Sequence, residues 1–133
     1  MINIRFMTVL VRIAGIYNAS AVLVFLTPGA LQFLGVDLPY SPFWVWLPAL
    51  LGLFVGLVLF FSAKDLVKYG VFPYWNGIIR LTFVISTFVL DFPGSTGVFV
   101  KLLAFGDVPL GLLCVFGIPK ATQRTQGELI TNR

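Results

Sequence analysis

The sequence predicts an all-α membrane protein, four transmembrane helices in an antiparallel bundle with both termini on the cytoplasmic side. Three observations carry this. Hydrophobic residues make up 59% of the 133 residues and charged residues only 11%, whereas a soluble domain carries about 25% charged residues and a fold of this size cannot hide so much apolar surface from water. The apolar residues gather in four long runs, 6–26, 43–63, 71–90 and 98–118, each near the roughly 20 residues an α-helix needs to cross the hydrocarbon core. Lysine and arginine concentrate beside one set of connecting segments.

The first run follows Arg5 and ends at Thr27-Pro28-Gly29, where proline removes a backbone donor and glycine admits turn conformations. Arg5, an apolar stretch and Ala19-Ser20-Ala21 imitate a secretory signal with its small-residue cleavage site. Arg12 interrupts that stretch and the run continues to Leu26, so a retained helix is expected. Pro39, Ser41 and Pro42 precede the second helix, and Ser62-Ala63-Lys64-Asp65 closes it. Lys68-Tyr69-Gly70 leads into the third, Asp91-Phe92-Pro93-Gly94-Ser95 turns the chain into the fourth, and Pro119-Lys120 stops the last helix. Residues 121–133 form a polar cytoplasmic tail, expected to be loose or, over 122–126, to extend the fourth helix or contact a partner. Alternating ten-residue strands, the mark of a membrane barrel, are missing.

Orientation follows from the loops. Arg5, Lys64, Lys68, Lys120, Arg124 and Arg133 lie on one side; the other has the 31–40 loop with Asp37, the turn with Asp91, and Lys101 just inside the fourth helix. Basic residues accumulate on the cytoplasmic side, which places the N terminus, the 62–70 loop and the tail inside. Tyr40, Phe43, Trp44 and Trp46 then belt the outer edge, and Tyr69, Tyr74 and Trp75 the inner edge.

Charges within the runs are the informative residues for function. Arg12, Arg80 and Asp107 lie inside apolar segments, where each costs about 2.5–3.5 kcal/mol on insertion scales, so they should face the bundle interior and pair. Arg12 and Arg80 sit about eight residues from the cytoplasmic start of their helices, about 12 Å deep at 1.5 Å per residue, and Asp107 about 18 Å deep in the antiparallel fourth helix. The expected arrangement is two guanidinium groups below one carboxylate, which accepts a bidentate bond from one of them. On one reading the remaining positive charge binds an anionic or carbonyl-bearing molecule, a lipid head group or a quinone, with Tyr17, Asn18, Asn76, Thr82 and Ser86 adding hydrogen bonds. On the other, an arginine snorkels to the inner interface and Asp107 locks two helices together. Arg12 and Arg80 also open a faint repeat, Val11-Arg12-Ile13 to Pro28-Gly29 and Ile79-Arg80-Leu81 to Pro93-Gly94, which would make the chain a parallel duplication.

Gly52 and Gly56 give a G-x-x-x-G in the second helix, a spacing that lets backbones approach closely, either within the chain or across a homodimer. Pro109, flanked by Gly106 and Gly111, frees the carbonyl of Phe105 beside Asp107, and Pro48 does the same to Trp44. The single cysteine, Cys114, permits no intrachain disulfide and reads as a packing residue. With no histidine, the commonest metal ligand and general base is missing, and neither a metal, a haem nor another cofactor is expected. The net charge of +4 is scattered singly, unlike a nucleic-acid stripe. No nucleophile–base pair or phosphate loop is present, so no catalytic residue is named.

Arg12-Ile13-Ala14-Gly15 resembles the early R-x-x-G of the DoxX-like small four-helix membrane proteins, and Pro28…Leu34-Gly35-Val36…Pro39 is similar to their first outer loop. The chain departs from them in the second span, where residues 48–61 carry no acidic residue. The resemblance implies a four-helix bundle; family members include subunits associated with quinone-linked oxidation and, more distantly, assembly chaperones of membrane receptors. Sequence and resemblance together lead to the expectation of a multi-pass membrane protein that is an accessory or ligand-binding protein, its partners being membrane lipid and a lipid-soluble or anionic small molecule such as a quinone. The alternative is an oligomeric subunit of a membrane complex or a small transporter; a third reading, a redox or isomerase enzyme acting on a lipid-soluble substrate, has no motif behind it.

Overall fold

A computed structural model describes residues 2–90 and 92–131; Asp91 and Arg133, which contributed to the orientation argument, lie outside the described residues. Among these residues every regular element is helical. Helix α1, Ile4–Ala19, starts where the Asn3 side chain accepts from the Phe6 N–H at 2.8 Å, satisfying one of the free donors of a helix start. It continues through Ser20 into α2, Ala21–Leu26, and ends where Thr27 turns extended. Gly29, at φ 81°, reverses the chain into the short α3, Ala30–Phe33, a left-handed backbone position that suits glycine. Helix α4 spans Phe43–Ser62, with Pro48 inside it. Asp65 caps α5, Leu66–Tyr69, and α6 follows at Val71–Val89.

Helix α7, Gly94–Leu112, runs on through a π-helical turn at Leu113–Gly117 into α8, Ile118–Thr122. The π turn lies one helical turn beyond Pro109. Gln123, at φ 57°, ends α8 and leads to α9, Gln126–Thr131. The tail therefore departs from the loose or helix-extending segment expected from its polarity. Gln123 breaks the helix, Thr125 and Glu128 start a new one, and Leu129 is fully buried, so one apolar residue in a polar segment docks it.

Three stretches, Ile4–Leu26, Phe43–Ser62 and Gly94–Thr122, are long and apolar enough to cross a membrane. The fourth predicted run forms α6, which has the length, 19 residues, but carries Tyr74, Asn76, Arg80, Thr82, Ser86 and Thr87, and these lower its apolarity.

The helices pack as two pairs, α1 and α2 along α4, and α6 along α7 and the π turn. Small residues set the separation in both. A Cβ on Gly15 would lie 2.9 Å from the Gly56 carbonyl, and one on Gly52 2.5 Å from the Ala21 Cβ. In the second pair, a Cβ on Gly77 would lie 2.7 Å from the Cys114 Cβ, and one on Gly111 2.9 Å from a Leu81 methyl. Gly52 and Gly56 thus receive α1 and α2 of the same chain.

The pairs join at one end. Met7, Val11, Leu59, Tyr74, Ile118 and Leu129 belong to a single buried cluster there, each side chain removed from contact with solvent or lipid. Toward the other end the pairs separate, bridged at the rim where the Asp37 N–H donates to the Thr96 hydroxyl at 3.2 Å. Elsewhere large apolar side chains point outward, Leu23, Ile85 and Phe105 among them. Such a surface is stable only against an apolar medium.

Candidate functional site

Between the separated pairs lies a cavity of about 400 Å3. Its polar groups come from α1 (Tyr17 and Asn18), the α1–α2 junction (Ser20), α6 (Asn76 and Arg80) and α7 (Asp107), and its apolar walls include Val24, Phe25, Leu51, Phe83 and Leu103. The volume falls in the range of small-molecule pockets, which combine apolar lining with a few convergent polar groups.

Arg80 organises the polar floor. Asn76 precedes it by one helical turn, so the two share a face, and the Arg80 Nε–H donates to Asn76 Oδ1 at 2.9 Å. Arg80 Nη1 donates to Asp107 Oδ1 in an ion pair. The aromatic ring of Tyr17 lies against the guanidinium, its centroid 5.4 Å from Cζ, an attractive placement for a cation. The Arg80 side chain is 5% exposed and that of Asp107 13%. Arg80 Nη2 is buried and has no hydrogen-bond partner. An orphaned donor of this kind costs about 1–3 kcal/mol, more on a charged group, and it belongs to a residue that lines the cavity.

Four of the five residues expected at a polar centre, Tyr17, Asn18, Arg80 and Asp107, line this one cavity. Arg12 does not join them. It is exposed on the outer face of α1, and among the described residues it forms no ion pair. Depth along the helix axis put Arg12 level with Arg80, but rotation about the axis separates them: Val11 and Ala14 take the inward positions of α1. The two arginines therefore occupy unlike environments, which leaves the proposed internal repeat without a common role for them.

The charge balance differs from the expected one as a result. Arg80 and Asp107 sum to zero, so the cavity holds no surplus cation. Asn76, weighed only as a supplementary donor, fixes the guanidinium directly. Thr82 and Ser86 stay outside the lining; the Thr82 hydroxyl donates to the Ile78 carbonyl at 3.0 Å. Sequence reasoning missed Gly77, whose signal was a glycine one turn before a buried arginine. It also missed the apolar wall of α2.

Cys114 is buried against α6. No group of histidine, cysteine and carboxylate side chains suited to a metal ion occurs among the described residues. Comparison of the chain with models of known families, with curated proteins and with solved structures finds no match.

Proposed function

We propose that this is a multi-pass membrane protein of four antiparallel spans, with both termini cytoplasmic, that binds a lipid-soluble small molecule in the cavity around Arg80 without converting it chemically. The observation that carries the binding role is a cavity with apolar walls whose polar side is built by the nearly buried Arg80–Asp107 ion pair together with Tyr17, Asn18 and Asn76. Apolar walls converging on a few polar groups suit a guest with a hydrophobic body and a polar head.

The distribution of polarity on α6 supports a fourth span. Its exposed positions are Phe72, Trp75, Ile79, Thr82, Ile85, Phe88 and Val89, all apolar or amphipathic except Thr82, whose hydroxyl donates to the Ile78 carbonyl of the same helix. Its strongly polar residues face the other helices, the distribution expected of a helix in lipid. Antiparallel packing fits the registers, since Gly15 lies against Phe60 and Gly52 against Ala21, while Gly77 lies against Cys114 and Arg80 against Asp107. We place the protein, on its R-x-x-G and outer-loop resemblance, with the DoxX-like proteins. The subunit or transporter alternative loses its dedicated contact, because Gly52 and Gly56 are occupied within the chain.

Native mass spectrometry of protein extracted in mild detergent tests the binding role. The wild-type chain should retain a defined small molecule, and Leu103→Trp, which enlarges a side chain of the cavity wall, should release it. A chain that emerges bare in every mild detergent, or a bound mass that survives this substitution, removes the proposal.

A further inference from the structure

A second cavity, of about 540 Å3, lies between the end of α4 and the start of α6. It shares no lining residue with the one around Arg80. We infer that it is a groove for one acyl chain of an anionic phospholipid, whose phosphate is bound at the mouth by Lys64 and Lys68.

The walls suit hydrocarbon. Phe54, Leu57, Val58 and Phe61 recur at three- and four-residue spacing, so they share one face of α4, over about 10 Å at 1.5 Å per residue. Phe72 faces them from α6. Phe54, Phe61 and Phe72 are 64%, 53% and 50% exposed, so the groove opens sideways toward the apolar surroundings. The buried Ser62 hydroxyl on its wall donates to the Leu59 carbonyl at 2.8 Å and is already matched.

The chemistry changes where α4 stops. Lys64 lines the groove, and its Nζ lies 4.8 Å from the centroid of the Phe61 ring. Lys68 Nζ lies 5.1 Å from the centroid of the Tyr69 ring, another lining side chain. Each ammonium thus rests over an aromatic wall, its stem covering apolar surface and its charge kept at the boundary with water. Neither lysine forms an ion pair among the described residues. The carboxylate between them in sequence, Asp65, caps α5, its Oδ1 accepting from the Lys68 N–H at 3.1 Å. The shared core brings the start of α1, α8 and α9 to this end as well, adding Arg5, Lys120 and Arg124 against Glu128, so cations outnumber carboxylates around the mouth.

The charge pattern and the groove select the same occupant. Lysines beside a membrane-facing groove attract anionic head groups. A phosphocholine head group carries its own compensating cation and gains less from them. Inorganic phosphate would meet the ammonium groups and leave the apolar walls uncovered.

The test mixes delipidated wild-type protein in a nonionic detergent with dioleoyl phosphatidylglycerol or dioleoyl phosphatidylcholine, which share their chains and differ in net charge, and measures bound lipid by native mass spectrometry. The phosphatidylglycerol should be retained at least roughly fivefold more tightly. Lys64→Gln, at an exposed position, should reduce that preference roughly fivefold, the equivalent of about 1 kcal/mol for one lysine near a lipid phosphate. Leu57→Trp, which enlarges a side chain of the groove wall, should weaken both lipids and leave the guest of the Arg80 cavity in place. Leu103→Trp should do the reverse, so the two sites stand or fall separately. Equal retention of the two lipids by the wild type overturns the proposal. So does a preference unchanged in Lys64→Gln, or phosphatidylglycerol held as tightly by Leu57→Trp as by the wild type. The comparison of lipids on the wild type needs no variant and is decisive by itself.

Discussion

Arg80 and Asp107 are asymmetric in what their loss would leave behind. Truncating Asp107 to leucine strands a guanidinium whose side chain is 5% exposed; truncating Arg80 to methionine strands a carboxylate in the same enclosure. Breaking one partner of a buried pair typically costs about 3–5 kcal/mol, whereas replacing both by apolar groups is often close to neutral. Each single variant should therefore lower the thermal midpoint in detergent, and Arg80→Met/Asp107→Leu should unfold nearer to wild type than either. A double variant as unstable as the sum of the singles would show that the two residues act independently. Arg12 offers the contrast. Exposed and without an ion pair among the described residues, it can extend along α1 toward the helix start and so toward water, and Arg12→Leu should change the midpoint far less. Counting residues from the helix ends brought Arg80 and Asp107 close enough to pair, and the two do form an ion pair. It could not show which arginine turns inward, because α1 is apolar on both faces around Arg12.

Individual helices make their own predictions. Gly56 receives α1 so closely that a Cβ there would stand 2.6 Å from both the Ala19 nitrogen and the Gly15 oxygen. These are backbone atoms that cannot rotate away, so Gly56→Leu should cost at least the 1–3 kcal/mol typical of overpacking. Gly106 is the control, since its nearest neighbour would be the Tyr17 hydroxyl at 3.8 Å. Gly106→Ala should leave the unfolding midpoint unchanged or slightly raised. Helix α9 is held by a reciprocal cap. The Thr125 N–H donates to Glu128 Oε2 at 2.6 Å, and the Glu128 N–H donates to the Thr125 hydroxyl at 3.2 Å, the two-way bonding of a capping box. The bond from the Thr125 backbone, reinforced by its hydroxyl, holds the Glu128 carboxyl below its ordinary 4.5. A group whose pKa falls on folding contributes stability that is complete above the unfolded value and disappears as pH drops through the folded one. Amide protection factors across Gln126–Thr131, corrected for intrinsic exchange, should fall as the pH is lowered below about 4.5, and Glu128→Ala should abolish that dependence. The spacing Thr125-x-x-Glu128 was visible in the sequence. The docking of Leu129 was not, because a single buried leucine leaves no periodic trace. The π turn was equally hidden, since it is a register shift of the backbone rather than a preference of Leu113–Gly117.

At the scale of the whole molecule, two helix pairs share a core toward one end and line a common cavity toward the other. Proline, glycine and charge punctuation made the helix boundaries readable. The cavity was not readable, because its volume depends on the angle between the pairs, and no single residue encodes that angle. The decisive question at this scale is whether α6 crosses the bilayer. Its mean polarity argues against crossing, whereas the inward placement of Arg80, Asn76 and Thr87 argues for it. The two possibilities differ in a parity that can be measured. With four crossings the N terminus and α9 share a side; with three, α9 emerges opposite the N terminus. Single cysteines at Gln32, Lys68, Ser95 and Thr125, introduced on a Cys114→Ala background and challenged with a membrane-impermeant thiol reagent in right-side-out vesicles, read this parity directly. Gln32→Cys and Ser95→Cys should label from outside, and Lys68→Cys and Thr125→Cys only after permeabilisation. Labelling of Lys68→Cys and Ser95→Cys from the same side would mean that α6 lies along the surface. Arg80 could not then be held at depth against Asp107, and the cavity, the ion pair and the proposed ligand site would all have to be abandoned together.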